Sequence, residues 1–74
     1  MNLSKAISAA KISAPRVTIR RAKGGADIVV YYKGQGEDSP ESYFTDCPRD
    51  ALATAQHMHR ACLEHEIAML ENRI

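Results

Sequence analysis

Four side chains within two helical turns have the chemistry to bind a metal: His59, Cys62, His65 and Glu66. Thiolate, imidazole and carboxylate are all zinc ligands. His59, Cys62 and Glu66 recur at i, i+3 and i+7, neighbouring positions on one helical face. One helix rarely supplies three ligands without a partner segment, however, and only Cys47 is an obvious fourth. The plainer reading makes Cys62 a small core residue and the histidines part of the helix surface, with no metal and no cofactor. His65-Glu66 opens like H-E-x-x-H, but Met69 stands where the second histidine must be, so the zinc-protease reading fails. Cys47, next to Pro48, sits where a helix N-terminus can activate a thiol. A nucleophile also needs a base and an oxyanion site in a cleft, for which a chain of 74 residues has little room. Gly24-Gly25 and Gly34-Gln35-Gly36 match no phosphate-loop spacing. These residues point away from an enzyme.

The charges are more informative. The net charge of +1 conceals an uneven split. Residues 1–36 carry Lys5, Lys11, Arg16, Arg20, Arg21, Lys23 and Lys33 against Asp27 alone. Residues 37–74 carry Glu37, Asp38, Glu41, Asp46, Asp50, Glu64, Glu66 and Glu71 against Arg49, Arg60 and Arg73. The first half is therefore +6 and the second −5. Such asymmetry marks a basic patch for an acidic partner or an acidic face for a basic one. Alternatively, the two halves neutralise each other on folding. The two cysteines, Cys47 and Cys62, form no C-x-x-C and no zinc-ribbon spacing. Lys5 and Lys11 interrupt the N-terminal apolar residues, so no signal sequence is expected. No stretch approaches the roughly 18 apolar residues of a membrane span. The expectation is a cytoplasmic protein with reduced thiols and no membrane partner.

The elements that must position these side chains follow from periodicity. Leu3, Ala6, Ile7 and Ala10 lie at i, i+3, i+4 and i+7, one face of a short helix that Pro15 ends. Residues 1–14 are thus a short docked helix or a disordered arm. Residues 16–22 alternate: Val17 and Ile19 point one way, Arg16, Thr18 and Arg20 the other. Residues 23–27 turn on Gly24-Gly25, and residues 28–33 are a second strand rich in β-branched and aromatic side chains. After the polar loop 34–41, residues 42–46 read as a short third strand. Pro48 suits the first position of a helix and Asp50 its first turn. No Gly or Pro follows, so the helix should run over 48–72, about 37 Å. The expected fold is α+β, one small domain over 1–74. A two- to three-stranded antiparallel sheet over 16–46 packs on one long C-terminal helix, with a possible short N-terminal helix.

That helix outruns the sheet, since a strand of six or seven residues spans about 20–23 Å. Ala51, Ala55, Met58, Cys62 and Met69 form a first apolar stripe, suited to the sheet. Leu63, Ile67, Leu70 and Ile74 form a second, turned by about 100° and confined to the last 12 residues. Either the N-terminal helix covers it or a second copy of the chain does. A chain this small buries only about 60% of its unfolded surface and is marginal alone, so a homodimer through Leu63, Ile67, Leu70 and Ile74 is expected. Glu66 and Arg73 lie near enough to pair across such an interface.

The hairpin is the candidate contact surface: Arg16, Arg20, Arg21, Lys23 and Lys33, with Glu37, Asp38 and Glu41 on the acidic loop. The order strand, strand, strand, then a helix opening with Phe44-Thr45-Asp46-Cys47-Pro48-Arg49-Asp50-Ala51 resembles the small three-stranded DNA-binding domains at the N-terminus of phage integrases, over residues 16–62. That resemblance implies a basic ribbon in the major groove. Size, element order and the alanine-rich helix start (Ala51, Ala53, Ala55) are also similar to short phage-encoded anti-defence proteins, small anti-CRISPR proteins among them. This second resemblance implies a non-catalytic chain that occupies a surface of a larger host protein or ribonucleoprotein complex. It is the expected function, and a DNA-binding module or transcriptional regulator using the hairpin is the alternative.

Overall fold

A computed structural model describes residues 1–25 and 27–71. The elements run α1 (Leu3–Ser13), β1 (Val17–Arg21), β2 (Ile28–Tyr32), β3 (Tyr43–Thr45) and α2 (Pro48–Glu71). The three strands form one antiparallel sheet in the order β1-β2-β3. The chain is α+β, with a short N-terminal and a long C-terminal helix.

Local chemistry accounts for each boundary. Asn2 caps α1, its side-chain oxygen accepting from the Lys5 amide at 2.8 Å. Ala14 closes α1 by donating its amide to the Ala10 carbonyl at 2.7 Å, and Pro15 forbids continuation. In the β1–β2 turn Gly24 adopts φ +68°, a conformation that other residues adopt only at a cost. At the start of α2 the Cys47 carbonyl accepts from the Ala51 amide at 3.0 Å, so Cys47 is the residue at which the helix begins. Its own amide donates to Thr45 Oγ1 at 3.2 Å. The Tyr43 hydroxyl donates to Asp50 Oδ2 at 2.7 Å, tying β3 to the first turn of α2.

The core lies between one face of the sheet and the two helices. Val17 and Ile19 from β1 and Ile28 and Val30 from β2 meet Ala51, Ala55 and Met58 from α2 and Ala10 and Ala14 from α1. Alanines at i, i+4 and i+8 of the N-terminal segment (Ala6, Ala10, Ala14) are buried, and Leu3 and Ile7 pack against the core. The N-terminal segment is therefore a docked helix and not a free arm. Small side chains on both helices permit close approach to the sheet, which suits a core without large aromatics.

The first apolar stripe of α2 is buried only as far as the sheet extends. Met58, whose carbonyl accepts from the Tyr32 hydroxyl at 3.1 Å, is the last buried residue of α2. Cys62 is half-buried and Met69 is 50% exposed, so Met69 does not extend the stripe as its spacing implied. Nor does α1 cover the second stripe: its last residue, Ser13, accepts from Gln56 Nε2 at 3.1 Å and reaches only the depression at Leu63, leaving Ile67 and Leu70 exposed. All nine residues from Leu63 to Glu71 are exposed. Arg73 and Ile74, expected at a dimer interface, lie outside the described residues.

Candidate functional site

The hairpin cations separate into two groups. Arg16 and Lys33 stand side by side at the open end of β1–β2, where the Lys33 amide donates to the Arg16 carbonyl at 2.9 Å. Arg20, Arg21 and Lys23 lie at the other end, beside the turn.

At the turn end Arg20 is held from three directions. Its Nη2 pairs with Glu37 Oε1 at 2.9 Å, its Nε donates to the Tyr31 hydroxyl at 2.9 Å, and its guanidinium lies 5.4 Å from the Tyr31 ring centroid. Glu37 also accepts from the Lys23 amide at 3.2 Å. The Glu37 part of loop 34–41 is thereby folded back against the face of the sheet opposite the helices, while Gln35 and Glu41 stay on the side of α2. Val29 on that face, with Arg20 and Phe44 as cross-strand neighbours, is fully buried. This face is a clamped surface rather than an open polar ribbon. Asp38 is exposed on the loop.

The guanidinium of Arg20, with the Lys23 amide, holds the Glu37 carboxyl below the ordinary carboxylate range. The Tyr43 hydroxyl, then Thr45, does the same for Asp50. A carboxyl whose folded-state pKa is lowered stabilises the fold above its unfolded pKa and loses that contribution as pH falls through the lowered value. Stability is therefore expected to be level near neutrality and to decline below about pH 4, where carboxylates protonate. Denaturant midpoints at several pH values check this, and Glu37→Gln with Asp50→Asn should flatten the acid limb. An unchanged acid limb in the double variant would remove both contacts from the account.

At the open end the alternation of β1 breaks down. Arg16 precedes the strand and, instead of joining Thr18 and Arg20, crosses to α2. Its Nη1 pairs with Glu66 Oε1 and lies 3.9 Å from Cys62 Sγ. Glu66, expected to pair with Arg73 across a dimer, is instead the intramolecular partner of Arg16. Part of the charge asymmetry is thus neutralised within the fold, through Arg16–Glu66 and Arg20–Glu37.

Between this end of the hairpin and α2 lies an open groove of about 710 Å³, lined by nine residues. Pro15, Ala61 and the Tyr32 ring supply apolar surface; Arg16, Lys33, Gln35, Glu41, Cys62 and His65 supply polar groups. Partial burial raises the Tyr32 phenol above its ordinary pKa, with smaller effects from Cys62 and Glu41, so the hydroxyl stays protonated and donates to Met58. The Lys33 ammonium makes no hydrogen bond or ion pair among the described residues.

The groove unites Arg16, Lys33 and Glu41 from the sequence-derived contact set. It adds Tyr32, Gln35, Cys62 and His65, of which Tyr32, at the end of the second strand, and Gln35, in the loop after it, carried no signal of their own. His59, Cys62 and Glu66 do not converge as ligands: no group of three or more His, Cys, Asp or Glu side chains among the described residues is arranged to hold a metal. Both cysteines are free thiols. No helix among the described residues is long and apolar enough to cross a membrane. Comparison with protein-family profiles, curated proteins and solved structures gives no match for the chain.

Proposed function

We propose that this chain is a small non-catalytic binding protein of the phage or mobile-element accessory kind, acting in the cytoplasm by occupying a surface of a larger host protein complex. The observation that supports this most is the groove. It is open, has apolar surface, and carries charges of both signs in its lining, Lys33 and Arg16 with Glu41. Mixed-sign, partly apolar surfaces suit protein partners, whereas a duplex backbone calls for cations of one sign. Arg16 and Arg20, the central cations of a nucleic-acid ribbon, are engaged by Glu66 and Glu37. A second reading, a DNA-binding module, draws on the hairpin tip, where Arg21 and Lys23 are exposed near Gly24.

Lys33 is the informative position, because reversing Arg16 or Arg20 would also break an internal ion pair. Affinity capture from host lysate is expected to recover the same protein complex before and after nuclease treatment. Lys33→Glu should abolish recovery while shifting stability by no more than about 0.5 kcal/mol. Loss of the complex on nuclease treatment, together with duplex binding that weakens steeply with salt and depends on Lys23, would replace this reading with the DNA-binding one. Full recovery by Lys33→Glu would remove the groove.

A further inference from the structure

The exposed end of α2 has a surface that the groove does not use. Ala61, Cys62 and His65 face the groove. Leu63, Ile67 and Leu70 lie on about the opposite side of the helix, exposed by 36%, 55% and 62%. The nine residues from Leu63 to Glu71 form two and a half turns with no buried position, tied to the rest of the fold through the Arg16–Glu66 pair, and a helix end without packing contacts frays in water. At its base the apolar strip runs into a shallow depression of about 380 Å³ between α1 and α2, lined by Ser13, Gln56, His59, Arg60 and Leu63. There His59 Nδ1 is buried without a hydrogen-bond partner among the described residues.

The charges bordering the strip identify its occupant. Arg60 and Glu71 are both exposed and make no ion pair or hydrogen bond among the described residues. Eleven residues apart, they lie about 16 Å from each other along the axis and within about 20° of the same direction. They bracket Leu63, Ile67 and Leu70 along one border, with the exposed Glu64 between the two ends. A basic group at one end and an acidic group at the other make this border its own complement when a second helix runs antiparallel. A partner surface of one charge sign would match only one end.

We propose that α2 pairs antiparallel with α2 of a second copy, about a two-fold axis that passes midway between the levels of His65 and Glu66. Arg60 then meets Glu71 of the second copy, and Glu71 meets its Arg60. Leu63 falls between Ile67 and Leu70 of the second copy, whose Leu70 approaches the depression beside Arg60. The interface is isologous, as two-fold symmetry requires, and leaves both grooves open on the outside.

Sedimentation of the full chain tests this. The wild type is expected at twice the 8.2 kDa of one chain at micromolar concentration. Leu70→Glu, on the exposed end of α2 and outside the core, should give a monomer that keeps its cooperative melting transition and loses no more helical circular-dichroism signal than the end of α2 contributes. Arg60→Glu and Glu71→Arg should each weaken dimerisation several-fold, and the two together should restore it. A wild type that sediments as one chain throughout the micromolar range overturns the proposal. So does a Leu70→Glu variant that remains dimeric. Single charge variants whose combination fails to restore the dimer overturn the antiparallel pairing.

Discussion

Replacing Met58 by alanine is expected to lower the melting temperature by at least about 8 °C. Met58 is 8% exposed and closes the core where α2 leaves the sheet, in one cluster with Val17, Ile19 and Val30. Met→Ala in a core costs about 2–5 kcal/mol, through lost transfer energy and the cavity left behind. A domain of this size loses about 4–8 °C per kcal/mol. Its total stability, at about 0.05–0.15 kcal/mol per residue, is of order 4–11 kcal/mol, so this single truncation removes a large fraction of it. Met69→Ala is the internal control: same residue type, same helix, same predicted stripe, but half exposed in the single chain. Calorimetry should show a large shift for the first and little for the second. Equal shifts would mean that the buried part of α2 extends beyond Met58.

The second large effect is expected from adding volume. Ala55 is fully buried, one turn before Met58, where α2 crosses the sheet. Ala55→Leu inserts three carbons into a contact set by a methyl group, forcing helix and sheet apart at a cost of about 1–3 kcal/mol. Ala53→Leu, two residues earlier on the exposed side of α2, leaves packing untouched. Leucine is nearly as good a helix former as alanine, so intrinsic propensity cancels in the comparison. Urea denaturation should show a lower midpoint for Ala55→Leu and no material change for Ala53→Leu. A stabilised Ala55→Leu would reveal a void at this contact and a looser core than the one described.

The groove was only partly legible in the residues. Arg16, Lys33 and Glu41 stood out by charge. Tyr32 and Gln35 did not, because a tyrosine at a strand end and a glutamine between two glycines are ordinary in any sheet protein. Their significance comes from the helix lying across from them. The ion pairs were hidden for the same reason: Arg16 and Glu66 are 50 positions apart and Arg20 and Glu37 are 17 apart. Sequence spacing reports neighbours only within one helix or along one strand.

What the amino-acid order determined by itself is local. Alternation at Val17 and Ile19, the Gly24 turn, Pro15 and Pro48, and the breaker-free run after Pro48 specified the hairpin and the long C-terminal helix, because periodicity and backbone chemistry act over a few residues; whether residues 1–14 dock as a helix and whether the sheet has a third strand stayed open. The excess length of α2 over the sheet was likewise visible from rise per residue alone. Only the tertiary structure decided how far the N-terminal helix reaches, which face loop 34–41 covers, and which arginines are internally paired. Each of these depends on where one element ends against another. Arg16 shows the difference: alternation assigned it to the outer face with Thr18 and Arg20, but it precedes the first ladder residue, and the carboxylate of Glu66 on α2 draws it across.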